Sequence, residues 1–219
     1  LTERSMMDKW IISELNVLIA EVDKAYSDFD SQSAGRVLAR FIDDLSNWYV
    51  RRSRRRFWDG DVAALATLHE CLTTLTQLLA PMVPFITEHV WQKLIRVVEK
   101  DGPISVHLAD FPVNEASLID KELSKSVALT RRLVELGRAS RAQSGVKIRQ
   151  PLSRALIAAP GWKLLSIELR EQISDELNVE SLDDLASAGA DLVDISIKAN
   201  FRSLGAKFGG EVQELAKAI

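Results

Sequence analysis

Cysteine is all but missing from this sequence: Cys71 is the single thiol in 219 residues. One cysteine forms no internal disulfide and no cysteine-based zinc centre, so a reducing, cytoplasmic compartment and no bound metal are expected. Histidine is nearly as scarce, with His69 and His89 on helical stretches and His107 in an expected edge strand. None stands with a Ser, Cys or carboxylate set at catalytic spacing, so structural roles are expected for all three. No run of about 18 uncharged apolar residues occurs, so no membrane span or membrane partner is expected. The glycine-rich "LGAKFGG" does not fit phosphate-loop spacing and reads as a turn between a strand and a helix. Internal repeats and low-complexity segments are absent. The chain opens at Leu1 with neither an initiator Met nor signal-peptide character, which suggests a piece of a longer polypeptide.

What is present is an ordinary globular mixture, 47% hydrophobic and 27% charged, enough for one large domain or two smaller ones. The net charge of −3 hides a sharp separation. Arg36 to Trp58 carries net +5 and Arg131 to Arg154 net +6, which leaves −14 on the remainder. Such clustering creates local potentials that the whole-chain charge does not reveal.

The first half reads as helix. Trp10, Ile11, Leu15, Leu18, Ile19, Val22, Tyr26 and Phe29 recur at three- and four-residue spacing, the apolar stripe of one long helix. "DFDSQSAG" ends it with cap residues. A second helix carries Leu38, Phe41, Ile42, Leu45 and Tyr49 on one face. A third runs from about Val62 to Leu79 and breaks at "APMVPF", where each proline lacks an amide donor. Pro84 suits the first position of a fourth, "PFITEHVWQKLIRVVEK". Short joints and apolar stripes imply an antiparallel helical bundle. A loop, "DGPISVHLADFP", precedes a long charged helix from about Leu118 to Ser144. Then "RALIAA" and "DLVDISIKA" alternate like strands, while "KLLSIELREQISDEL" and "GGEVQELAKAI" look helical. The expected fold is mainly α: a bundle domain over 1–115, then a long helix and a small α+β module over 116–219.

The densest feature is "NWYVRRSRRRFW", with five arginines in six positions between aromatic residues. At about 100° per residue, Leu38, Leu45, Tyr49 and Arg56 share the core direction. Arg36, Arg40, Asn47, Arg51, Arg54 and Trp58 fall on the opposite side as a ladder. Arg52 and Arg56 point coreward, where an unpaired charge is very costly. The helix is therefore expected to project, bend or end there, placing the arginines at a protruding tip. Arginine forks match phosphates and stack on bases, and neighbouring Trp and Tyr supply stacking faces. That combination reads single-stranded RNA loops. A solvated charged face is the plain alternative, and Tyr49 belongs with the core rather than the platform.

"SNWYVRRSRRRFW", then "LLAPMVPFITEHVWQKL" and "SVHLADFP", resembles the region after the catalytic core in class I aminoacyl-tRNA synthetases of the isoleucine branch. "GVKIRQPL", "DELNVESL" and "NFRSLGAKFGGEVQELAKAI" are similar, in order and spacing, to that family's C-terminal junction, so the resemblance covers essentially the whole chain. It implies an anticodon-binding bundle followed by an α+β module, in a monomeric cytoplasmic enzyme that joins isoleucine to its tRNA with ATP and Mg2+. The implied partners are isoleucine-accepting tRNA and upstream catalytic domains of the same polypeptide. The tRNA contacts would come from Asn47, Trp48, Arg51, Arg52, Arg54, Arg55, Arg56 and Trp58. In the second basic stretch, Arg138, Arg141, Lys147 and Arg149 either touch tRNA backbone or pair with the acidic remainder. Two alternatives stand beside this: a protein-interaction bundle with a basic tip, and the equivalent domain of the valine enzyme, whose versions of the motif lack the arginine run. Some bacterial members end in a cysteine-rich zinc module, for which the lone Cys71 provides no ligand set.

The family's nucleotide-binding signatures, His-Ile-Gly-His and Lys-Met-Ser-Lys-Ser, do not occur in this chain. "ELSKS" at Glu122 to Ser126 lies on a helix without nucleotide-binding context. The chain alone is therefore expected to form no aminoacyl-adenylate. ATP–pyrophosphate exchange with isoleucine should stay at background, and measurable exchange would overturn that expectation.

Overall fold

The computed structural model describes residues 4–188. The expected strand "DLVDISIKA", helix "GGEVQELAKAI" and turn "LGAKFGG" lie outside the described residues. The described chain forms two compact units divided after Arg131, whereas the sequence pattern pointed to a boundary at 115/116.

The first unit is a helical bundle. Helix α1, Met6–Ser27, starts earlier than its apolar stripe because Ser5 and Asp8 form a capping box. The Ser5 amide donates to Asp8 Oδ2 at 2.9 Å and the Asp8 amide to Ser5 Oγ at 3.3 Å. Its stripe, from Trp10 to Val22, is buried as expected, and Tyr26 is half-buried. Phe29 is not part of it: the residue is 96% exposed and sits past the helix end at φ 56°. The chain reverses there, and Asp30 caps α2, Ser31–Asp43, by accepting from the Ser33 amide at 2.9 Å.

The chain from α2 to Trp58 runs antiparallel to α1. Arg40 of α2 meets Glu21, and beyond α2 Tyr49 meets Asp8 and Arg56 meets Ser5. Leu38, Phe41, Leu45 and Tyr49 are buried, but Ile42 is exposed. The helical path continues through a wider π-helical turn, Asp44–Val50, into α3, Arg51–Trp58. Gly60, at φ 73°, makes the reversal, and Asp61 caps α4, Val62–Leu79, through the Ala64 amide at 3.1 Å. The Leu78 carbonyl accepts from Tyr26 at 2.9 Å and Glu70 pairs with Arg4, so α4 lies parallel to α1.

By length and composition α4 is apolar enough to cross a membrane, although Glu70 keeps it from being an uncharged run. In the structure it packs on α1, α3 and the next helix, α5, Pro84–Val90. Cys71 is buried in it, and burial pushes its thiol pKa up. Helix α5 begins at Pro84 as expected but passes into a π turn, Trp91–Ile95, and ends well before Lys100. His107 lies in a 3-10 turn, Val106–Leu108, not in an edge strand. Two buried polar side chains of α1 receive the returning chain. Asn16 Oδ1 accepts from the Glu115 amide at 2.7 Å, and Ser13 Oγ from the Asp120 amide at 2.9 Å. The long helix α6, Lys121–Gln143, follows.

The second unit begins within α6. Strand β1, Leu152–Ile157, leads through α7, Ile167–Leu177, to β2, Val179–Asp184. The strands pair in parallel, Leu152 opposite Val179 through Ile157 opposite Asp184. A helical crossover is what a parallel pair requires. Leu133, Val134, Ile157, Trp162, Leu165, Leu169, Ile173 and Leu177 are buried apolar residues among those described in this unit. The mainly α architecture with a small α+β module thus agrees with the sequence pattern.

A bulky residue in left-handed backbone is strained, and Phe29 has no packing to lose. Phe29→Asn should therefore raise stability by up to about 1 kcal/mol. Leu38→Ala, at a buried position, should lower it by about 2–4 kcal/mol. Thermal unfolding of the two variants checks both signs.

Candidate nucleic-acid interface

The exposed ladder has the composition that helical phasing predicts. Arg36, Arg40, Asn47, Arg51, Arg54 and Trp58 are all exposed, and Trp58 is 78% so. Arg55 is exposed beside them, its guanidinium a loose 3.8 Å from Asp59. Arg54 has no ion-pair partner among the described residues. Arg52 is half-buried.

Arg56 departs from the expectation of a protruding tip. Its coreward side chain does not project; it meets a buried partner. NH1 and NH2 donate to Asp8 Oδ1 and Oδ2, both at 2.8 Å, Nε donates to Asp61 at 2.8 Å, and NH1 also reaches Ser5 Oγ at 3.0 Å. Asp8 is 0% exposed and accepts a further bond from the Tyr49 hydroxyl at 2.7 Å. Burial by itself would raise the Asp8 pKa, but the bonds from Arg56, Tyr49 and Ser5 outweigh it and hold the carboxyl at about 2. Burial and the Asp8 carboxylate push the Tyr49 hydroxyl up, so it stays a donor. The guanidinium of Arg56 is thus held toward the bundle by Asp8, Asp61 and Ser5.

Trp48 departs likewise: it is buried, so its ring is not an open base platform. Two guanidiniums lie over it, Arg51 at 5.9 Å and Arg131 at 5.8 Å from the ring centre. Asn47 is gripped on both sides. Its side-chain amide donates to Asp43 Oδ1 at 2.5 Å, and its carbonyl accepts from Arg51 Nε at 3.0 Å. Arg131 also pairs with Asp44 at 2.5 Å. Burial, the largest influence, raises the Asp44 pKa against the opposing pull of Arg131. Helical phasing of the motif pointed to neither Arg131 nor Asp8, which lie far from it in sequence.

The second basic stretch divides similarly. Arg138 pairs with the buried Glu176. Arg141 is buried, and its NH2 donates to the carbonyls of Lys147, Ile148 and Gln150. Lys147 and Arg149 are exposed. Among the described residues, no three His, Cys, Asp or Glu side chains converge as metal ligands would.

A helical bundle that shows solvent a stripe of arginines, an asparagine and a tryptophan presents cationic forks, an amide and an aromatic face side by side. Residues 8–156 match the model of the anticodon-binding domain of tRNA ligase, and the chain belongs to that family. It is 58% identical over 217 residues to the isoleucine–tRNA ligase of Streptomyces coelicolor, a match that covers 99% of this chain and 21% of that protein. It is 58% identical to the isoleucine–tRNA ligase of Thermobifida fusca, again over 99% of this chain and 21% of the relative. The isoleucine–tRNA ligase of Cutibacterium acnes is 56% identical over all of this chain and 20% of its own length. The chain therefore spans about a fifth of the curated relatives it matches.

A carboxyl whose folded pKa is depressed from 3.8 to about 2 contributes stability above its unfolded pKa and loses it as the pH falls through the folded one. Stability should fall by about 2 kcal/mol between pH 4 and pH 2 from this group. Asp8→Asn should flatten that segment and cost about 3 kcal/mol at neutral pH, because it strands a charge in the bundle. Urea unfolding across the pH series measures both effects.

Proposed function

We infer that this chain is the anticodon-arm-binding portion of an isoleucine–tRNA ligase. The single observation that carries the reading is the exposed stripe of Asn47, Arg51, Arg54 and Trp58, on one face and next to an arginine held inward. Arg51, Arg54 and Arg55, with Arg52 at the edge, supply phosphate forks. Asn47 offers a base-edge donor and acceptor, and Trp58 a stacking face. Arg56 and Trp48 serve behind this face, not on it. Lys147 and Arg149 are the open cations of the second stretch and the better candidates there for tRNA backbone. Isoleucine tRNA is the proposed partner, together with catalytic domains of the same polypeptide, to which the ATP and Mg2+ chemistry is assigned. We place the protein in the cytoplasm as a monomer. High identity to isoleucine ligases favours this over the valine enzyme.

A purely charged protein-interaction tip would bind polyglutamate and tRNA alike at matched salt; a base-reading face prefers tRNA. For a single-stranded loop, log K falls with log salt by about 0.7 per phosphate contacted, so four to six contacts give a slope of roughly −3 to −4. Arg54→Ala should make the slope shallower by about 0.7 and weaken isoleucine tRNA and an unrelated tRNA alike. Asn47→Ala should cost about 1–3 kcal/mol on isoleucine tRNA and little on the other. Trp58→Ala should cost a similar amount on both. If all three variants bound both tRNAs like the parent at every salt, the stripe would be a solvated face.

A further inference from the structure

Reading a base demands that Asn47 hold one orientation, and the bonds that impose it converge on a residue far away in sequence. The Asn47 side-chain amide is tied to Asp43, while the residue's main-chain carbonyl accepts from Arg51. Arg51 in turn lies over Trp48. Arg131, from α6, touches this assembly at both ends. Its guanidinium pairs with Asp44 at 2.5 Å, stands 3.9 Å from Asp43, and lies over the same Trp48 ring. It therefore bears on the carboxylate that holds the Asn47 amide and on the ring that backs Arg51.

We propose that Arg131 is a positioning residue for the anticodon-reading face, fixing the Asn47 side chain without contacting RNA. The proposal rests on the function inferred above. The chemistry requires an arginine: a plane that stacks on an indole while a fork engages carboxylates is not available to a lysine. The location supports it as well. Asp43–Trp48 spans the junction of α2 with the π turn, where the helical hydrogen-bond pattern changes and extra bonds are needed to define one conformation. A phosphate at Arg131 would have to compete with Asp44, which is buried beside it. Holding side chains in the bound geometry before binding removes an ordering cost from association.

The test measures binding of isoleucine tRNA and an unrelated tRNA over a salt series, for the parent, Arg131→Met, Arg131→Lys, Asn47→Ala and the double variant Arg131→Met/Asn47→Ala. Arg131→Met should weaken isoleucine tRNA by about tenfold and the unrelated tRNA far less, with the salt slope unchanged. Arg131→Lys should recover little of the loss. The double variant should bind like Asn47→Ala alone, because both changes remove one oriented contact. Unchanged affinity, full recovery with lysine, multiplicative losses in the double variant, or a slope shallower by about 0.7 would each overturn the proposal. Should Arg131→Met melt below the assay temperature, Arg131→Lys, which keeps the charge beside Asp44, carries the same comparison. A parent chain that binds tRNA no better than polyglutamate sinks the functional reading and this inference with it. A parent that reads tRNA through Asn47, Arg54 and Trp58 while both Arg131 variants match it sinks the inference alone.

Discussion

A carboxylate removed from water in the first turn of α1 must be compensated, and Asp8 is compensated by an arginine 48 residues away. Either charge alone in the bundle would be costly. Together, with a two-pronged fork and a tyrosine hydroxyl filling a remaining lone pair, they form a satisfied network that ties α1, the π turn and α3 together. Asp61, the cap of α4, accepts from the same guanidinium, so a fourth helix enters through its first turn. The direction of α3 follows from this one cation. With Arg56 drawn inward, its helical neighbours Arg51, Arg54, Arg55 and Trp58 have the outer faces left to them.

The arginines sort by whether a buried or half-buried acceptor is within reach. Arg56, Arg131 and Arg138 have the carboxylates Asp8, Asp44 and Glu176, each little exposed, and Arg141 has a set of backbone carbonyls. Such pairs resist screening and competing anions. Arg40 pairs with Glu21, and Arg55 only loosely with Asp59, where water and salt weaken the bond. A cation held by a surface carboxylate can exchange it for a phosphate at small cost; one held by a desolvated carboxylate cannot. Net charge along the sequence does not carry that distinction: helical phase sets Arg51 and Arg56 on opposite sides, but only the partners show which cation is held.

Helical periodicity made much of the bundle legible. The α1 stripe, the bounds of α4 and the start of α5 at Pro84 follow from spacing, cap residues and proline chemistry. The exposed ladder was legible for the same reason, because a phase set by Leu38, Leu45 and Tyr49 places the opposite face. The misses have local causes. Phe29 continues the spacing, but α1 has already ended at Ser27, and Phe29 sits in the reversal before Asp30 caps α2. β2 reads Val-Glu-Ser-Leu-Asp-Asp, too polar for a strand signal, and becomes one by pairing with β1. The π turn has no simple sequence mark. The Asp8–Arg56 and Asp44–Arg131 pairs were hidden because sequence spacing gives the direction of a side chain and not the identity of what it meets across the bundle.

Those hidden pairs explain why arginine and tryptophan occur together in "NWYVRRSRRRFW". Read as a strip, Asn47 to Trp58 looks like a row of equivalent RNA contacts. Folded, it alternates: Asn47 faces out and Trp48 in, Tyr49 in and Arg51 out, Arg54 and Arg55 out, Arg56 in, Trp58 out. The inward members anchor to Asp8 and the Trp48 cluster, and each outward member sits within about one helical turn of an anchor. A long, flexible arginine on an otherwise solvated helix would lose much of its binding free energy to ordering. Holding its neighbours in the core lowers that loss without adding a contact to the RNA. The density of the motif thus reflects two demands on one short helix, a buried half that fixes its geometry and an exposed half to which we assign the tRNA.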